Sequence, residues 1–147
     1  MLTKTLASFY ERDLRKLIEE INSFNNEENI WKTHGSINNS CGNLVLHILG
    51  GLNYLIGTNL AGTGYIRNRE KEFIDKDVER KYLISQLGEL IPMITNTITS
   101  LTREQMDAEF PIQFDDAKNS TDYVLLQLSL HLNYHLGQVN YLRRVLE

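Results

Sequence analysis

One cysteine, Cys41, stands in 147 residues, which excludes an intramolecular disulfide framework and a cysteine-based zinc ribbon. Two prolines and nine glycines exclude collagen-like and low-complexity architectures. There is no run of lysine or arginine, and the formal net charge is -4. Non-specific nucleic-acid binders display a basic face, so no nucleic-acid partner is expected. No stretch of about 18 consecutive apolar residues occurs, so neither a transmembrane helix nor a membrane partner is expected. The segment MLTKTLASFYERDLRK meets charge too soon for a signal peptide, and with so little cysteine a cytoplasmic location is expected. What is present is ordinary globular composition, 41% hydrophobic and 23% charged. At roughly 100–200 residues per domain, a single domain over residues 1–147 is expected.

The apolar residues recur with helical rather than strand periodicity, and no internal repeat is found. Leu2, Leu6, Tyr10, Leu14, Leu17, Ile21 and Phe24 make one stripe of a first helix over about 2–24. Glu11–Arg15, Arg15–Glu19 and Lys16–Glu20 are opposite charges at i, i+4 on its wet side. A polar loop over 25–39 holds the only tryptophan, Trp31, and His34. Asn38, Asn39 and Ser40 offer caps for a second helix over 41–61, with Leu44, Ile48, Leu52, Leu55 and Ile56 inward. Gly50 and Gly51 sit mid-helix, where each costs about 1 kcal/mol against alanine; a close-packed neighbour, a ligand or a kink explains them. Gly62 and Gly64 end this helix and open a long connection to residue 76. A third helix is expected over 77–100, with a kink or break at Pro92. Thr102-Arg103-Glu104-Gln105 has the form of a capping box for a short extra turn. A fourth helix spans 121–145, with Asp122 at its start and Arg143 and Arg144 at its end, as the helix dipole favours. Four helices with one apolar stripe each predict an all-α four-helix bundle with a long loop after the second helix.

Three of the four histidines fall on these helices. His131 and His135, at i, i+4 on the fourth, stand one above the other on one face. Both imidazoles then reach one metal ion at about 2.0–2.1 Å. Val124, Leu128, Val139 and Leu142 share that face, so the pair points into the bundle. His47 lies on the inward side of the second helix, and packing the second helix on the fourth assembles a three-histidine site. Leu132 stands where a zincin protease has its glutamate base, and the Glu-x-x-His di-iron signature is absent. Cys41 lies near a helix start, where the dipole lowers a thiol pKa, but six residues before His47 it is off that face and reads as structural. His34 reads as a surface residue. A neutral three-histidine set leaves positions open, the catalytic rather than the structural pattern. An ion so held ionises bound water or activates a thiol.

Four segments together resemble the DinB-like (DNA-damage-inducible, YfiT-like) metal-binding four-helix bundle superfamily, in an uncharacterised branch. They are Asn39-Ser40-Cys41-Gly42-Asn43-Leu44 running into Leu46-His47, then Gly62–Phe73 with Arg67, Arg69, Glu72 and Phe73, then the apolar third helix, and last His131-x-x-Tyr134-His135-x-Gly137-Gln138. The likeness spans about residues 30–145. It implies a bundle that is often dimeric, with His47, His131 and His135 holding zinc or nickel. It also implies thiol-dependent chemistry, since characterised relatives include S-transferases using low-molecular-weight thiols and a mycothiol-dependent isomerase. Two positions depart from the branch: Gly51 stands where an asparagine is expected, and Asn68 where an aspartate is.

Gln138 is placed to hydrogen-bond across the bundle or to orient a ligand histidine; Asn43 and Tyr134 are the nearest other polar candidates. Arg67 and Arg69 bind an anionic substrate or a partner, or pin the loop through Glu72. Three readings stay open. One is a metal-dependent S-transferase activating a small thiol against an electrophile. Another is a hydrolase using metal-bound water, and the third a non-enzymatic, metal-binding homodimeric bundle.

Overall fold

The computed structural model describes residues 2–147. Helix α1 spans Leu2–Asn22, and its predicted stripe is the buried face from Leu6 to Ile21. Phe24 is buried beyond the helix end, whereas Leu2 is exposed. After a 3-10 turn, Glu27–Trp31, helix α2 covers Cys41–Leu52, capped by the Ser40 side chain on the Asn43 backbone N–H. It continues as a π-helical stretch, Asn53–Thr58, and a last turn, Asn59–Ala61. Gly62 closes it at φ 65, a left-handed conformation that glycine adopts without a Cβ penalty.

The long connection contains a helix that the periodicity does not reveal, α3 (Arg69–Ile74), N-capped by Asn68. Helix α4 is Arg80–Ser100, three residues shorter at its start than expected. Asp77 has φ 59, which a right-handed helix cannot include. Pro92 lies within α4, which runs through it without a break. The capping box at Thr102 and Gln105 forms, on α5 (Arg103–Asp107). Helix α6 spans Thr121–Leu146.

Four long helices, α1, α2, α4 and α6, build an all-α bundle. Among them α1 packs on α4 and α6, and α2 packs on α6, α4 and the short α3. The apolar faces meet in one core cluster. Polar ties join α1 to α6: the Asn133 amide donates to buried Asp13 at 2.9 Å, and Arg143 pairs with Glu20 at 2.7 Å. Glu20 is thus spent across the bundle, not on Lys16, whereas Glu11 and Arg15 do pair.

One expectation is corrected. The continuous helix Cys41–Ala61, 21 residues with an 18-residue window at mean hydropathy 1.4, is long and apolar enough by length and composition to cross a membrane. It holds no Asp, Glu, Lys or Arg, and glycine and asparagine interrupt its apolar runs without cancelling its average. Here its apolar face, from Leu44 to Ile56, belongs to the core.

Candidate metal centre

Packing α2 against α6 brings His47, His131 and His135 together, with one ligand atom of each within 4.8 Å of the others. The rings meet edge-on, at 75°, 83° and 88° to one another, so nitrogen edges converge instead of faces stacking. His131 Nε2 lies 3.1 Å from His47 Nε2 and 3.0 Å from His135 Nε2. Two nitrogens bound to one ion at about 2.0–2.1 Å and about 90–110° are themselves about 2.9–3.4 Å apart. His135 is buried, His47 half-buried and His131 exposed, so the cluster sits at the edge of the core.

The outer nitrogens fix the tautomers. His47 Nδ1 is 3.0 Å from the Glu72 carboxylate, which only accepts, so Nδ1 carries the proton and Nε2 presents its lone pair. His135 Nδ1 donates to Gln138 Oε1 at 2.7 Å, with the same consequence. His131 Nε2 therefore faces two lone pairs, and its single proton cannot satisfy both with linear bonds. A cation at the convergence satisfies all three, so the donor set fits a divalent metal. The pKa shifts agree. Burial, then the other two histidines, pushes His131 down to about 4, and burial pushes His47 below its usual value against the opposing pull of Glu72. Rings kept neutral keep their lone pairs available.

Glu72 comes from α3 and is nearly fully buried. Arg67 grips it with both ends of the guanidinium, Nε at 2.8 Å and Nη2 at 2.9 Å. That is the loop-pinning role for Arg67, and it explains Gly50: a Cβ there would stand 1.9 Å from a Glu72 oxygen. A Cβ at Gly51 would meet Arg67 Nη2 at 3.5 Å, an ordinary contact. Asn43 does not point its amide at the histidines; the amide donates to the backbone carbonyls of Glu72 and Asp75 at 3.0 and 2.8 Å. It anchors the segment that carries Glu72. Tyr134 packs beside His135 with ring centroids 5.5 Å apart and is largely exposed. Glu72 is the residue that the sequence reading did not connect to His47; the mid-helix glycine was its trace.

Cys41 is fully buried, and burial raises its thiol to about 12. This corrects the expected lowering: loss of solvent outweighs the helix dipole, and Sγ lies 3.6 Å from the Val139 carbonyl oxygen. His34 is exposed in the loop.

A cavity of about 260 Å³ opens beside His47 and His131. Leu52, Leu55 and Leu128 line its apolar wall, and Arg67, Arg69, Gln127 and Asp115 supply polar groups. Phe114 and Asp115 reach it from the turn between α5 and α6, a wall invisible to helical periodicity.

The bundle has a DinB-like all-α fold. A crystal structure of a DinB-like protein, YjoA of Bacillus subtilis, superposes with a TM-score of 0.68 at 19% identity, over 95% of this chain and 90% of that one. The chain belongs to the family described as protein of unknown function (DUF1572), whose model matches residues 3–147. No curated protein matches it.

Proposed function

We propose that the protein is a zinc- or nickel-dependent S-transferase that activates a low-molecular-weight thiol toward an electrophile. The observation that carries this reading is the convergence of three imidazole nitrogens, with two of the rings, His47 and His131, lining a cavity. A divalent ion held by His47, His131 and His135 supplies a lowered thiol pKa. The chain's own residues do the rest. Glu72 and Gln138 hold the Nδ1 protons of His47 and His135 and so keep both Nε2 atoms aimed inward. Arg67 holds Glu72, and Leu52, Leu55 and Leu128 give the cavity an apolar wall. The thiol reading is favoured over hydrolysis because the carboxylate in contact with a ligand histidine, Glu72, is already committed to Arg67 and His47. It is not free to take a proton from water.

In this reading the protein acts in the cytoplasm as a homodimer. The outward face of α6 supports the dimer, with Leu130, Tyr134, Tyr141 and Val145 all more than half exposed.

Elemental analysis tests the centre. About one zinc or nickel per chain is expected in the wild type, and none in His47→Ala or His131→Ala. Consumption of monochlorobimane that requires both thiol and metal supports the transferase. Ester or amide turnover without thiol replaces it with the hydrolase. A metal-stabilised chain with neither activity leaves the non-enzymatic bundle.

A further inference from the structure

The cavity beside His47 and His131 carries two opposite charges that no other described residue neutralises. Arg69 and Asp115 both line it. Arg69 lies over the Phe73 ring, 5.5 Å from its centroid, and has no carboxylate partner among the described residues. Asp115 has neither an ion pair nor a side-chain hydrogen bond among them, and the two do not pair with each other. The third charge at the cavity, Arg67, is used up by Glu72.

Their backbones approach separately. Arg69 opens α3. Asp115 sits in a two-residue hairpin closed by the Phe114–Ala117 backbone bonds, 2.9 and 3.1 Å. Asp115 and Asp116 both have positive φ, 52 and 58, the type I′ geometry. The carboxylate is therefore carried on a hydrogen-bonded turn, not a free loop.

We infer that the cavity takes a small zwitterionic, amino-acid-like thiol. Its carboxylate lies on Arg69 and its ammonium on Asp115, with its sulfur toward the histidine nitrogens. This rests on the thiol reading above and adds the class of thiol. The selection is mutual. A ligand with only an anion gains Arg69 but faces Asp115, and one with only a cation meets the reverse, so each charge rejects the wrong partner as well as attracting the right one. A guanidinium holds a carboxylate through paired, charge-assisted hydrogen bonds. The size allows it: about 260 Å³, at about 30 Å³ per water, holds roughly eight or nine water-sized groups, enough for the seven heavy atoms of cysteine.

The test is calorimetric titration of the zinc-loaded protein with cysteine, 3-mercaptopropionate, cysteamine and 2-mercaptoethanol. Cysteine is expected to bind tightest, by about tenfold over each singly charged thiol. Because its amine can also ligate zinc, two variants at exposed positions decide the question. Arg69→Gln should weaken cysteine and 3-mercaptopropionate about tenfold and, by removing the charge that repels its ammonium, strengthen cysteamine. Asp115→Asn should weaken cysteine and cysteamine and strengthen 3-mercaptopropionate, whose carboxylate it no longer repels. A cysteine preference that survives both variants overturns the inference and leaves the thiol reading standing. Failure of all four thiols to bind, 2-mercaptoethanol included, overturns the thiol reading and this inference with it.

Discussion

His47 and His135 aim the same ring nitrogen at the same point, yet they are held by different means. His135 is oriented by Gln138, three residues further along its own helix, through one neutral amide at 2.7 Å. His47 is oriented by a buried carboxylate 25 residues away on another element, and that carboxylate is clamped by an arginine. The first arrangement is local and forms whenever α6 forms. The second exists only when α3 docks on α2, and it brings a negative charge to the site. A carboxylate behind a ligand imidazole makes the ring more basic as well as fixing its tautomer. A neutral amide does mainly the second. The two sides of the site should therefore differ in how much they contribute to metal binding.

The largest effect is expected on the α2 side. Glu72→Ala should lower zinc affinity roughly 10- to 100-fold, read by chelator competition. It should also lower the unfolding midpoint of the metal-free chain, because Arg67 is left half-buried without its partner. Glu72→Gln, which keeps an acceptor oxygen but loses the charge, should fall between. On the α6 side, Gln138→Ala should cost only about three- to tenfold in the same assay, since a neutral bond is worth about 0.5–1.5 kcal/mol. Equal losses from Glu72→Ala and Gln138→Ala would erase the distinction.

Gly50→Ala sharpens it without touching either partner. A Cβ at this position meets Glu72 Oε2 at 1.9 Å and Cδ at 2.5 Å, so the carboxylate must withdraw from His47. Zinc affinity should fall about as far as in Gln138→Ala or somewhat further. Global stability should change less, because alanine returns about 1 kcal/mol of helix propensity against the displaced ion pair. A variant that binds zinc like wild type would show that Glu72 does not set the affinity through His47.

The same contrast explains what the sequence makes legible. The four long helices follow from apolar stripes, and the caps at Ser40, Thr102 and Gly62 from residue chemistry. His131 and His135 declare themselves because i, i+4 spacing is a property of one helix. The convergence of His47 with them needs only the inward face of α2. Glu72 leaves no such pattern. It sits in a short helix within a polar connection, and its link to His47 arises from tertiary docking. The hairpin that brings Phe114 and Asp115 to the cavity is equally silent, since a two-residue turn of aspartates has no periodicity to read. The π-helical stretch, Asn53–Thr58, keeps helical periodicity closely enough to pass for ordinary helix.

The smallest effect concerns protons, and its sign follows from burial. In the metal-free chain His131 is pushed down to about 4 from 6.5, chiefly by partial burial of its ring and then by the other two histidines, and His47 is also lowered. The unfolded chain then takes up protons below about pH 6.5 while the folded chain does not, so stability falls as pH drops from 6.5 toward 4. Above that window both states carry neutral rings, and these groups contribute no slope. Urea midpoints of the metal-free protein should therefore decrease from about pH 7 to about pH 5. His131→Gln should flatten that decrease, while His34→Gln, in the exposed loop, should leave it in place. Because His131 itself is exposed, solvent screening keeps the change modest. A midpoint that rose on acidification would mean that Glu72 wins over burial and holds a protonated His47, reversing the electrostatic order of the two sides of the site.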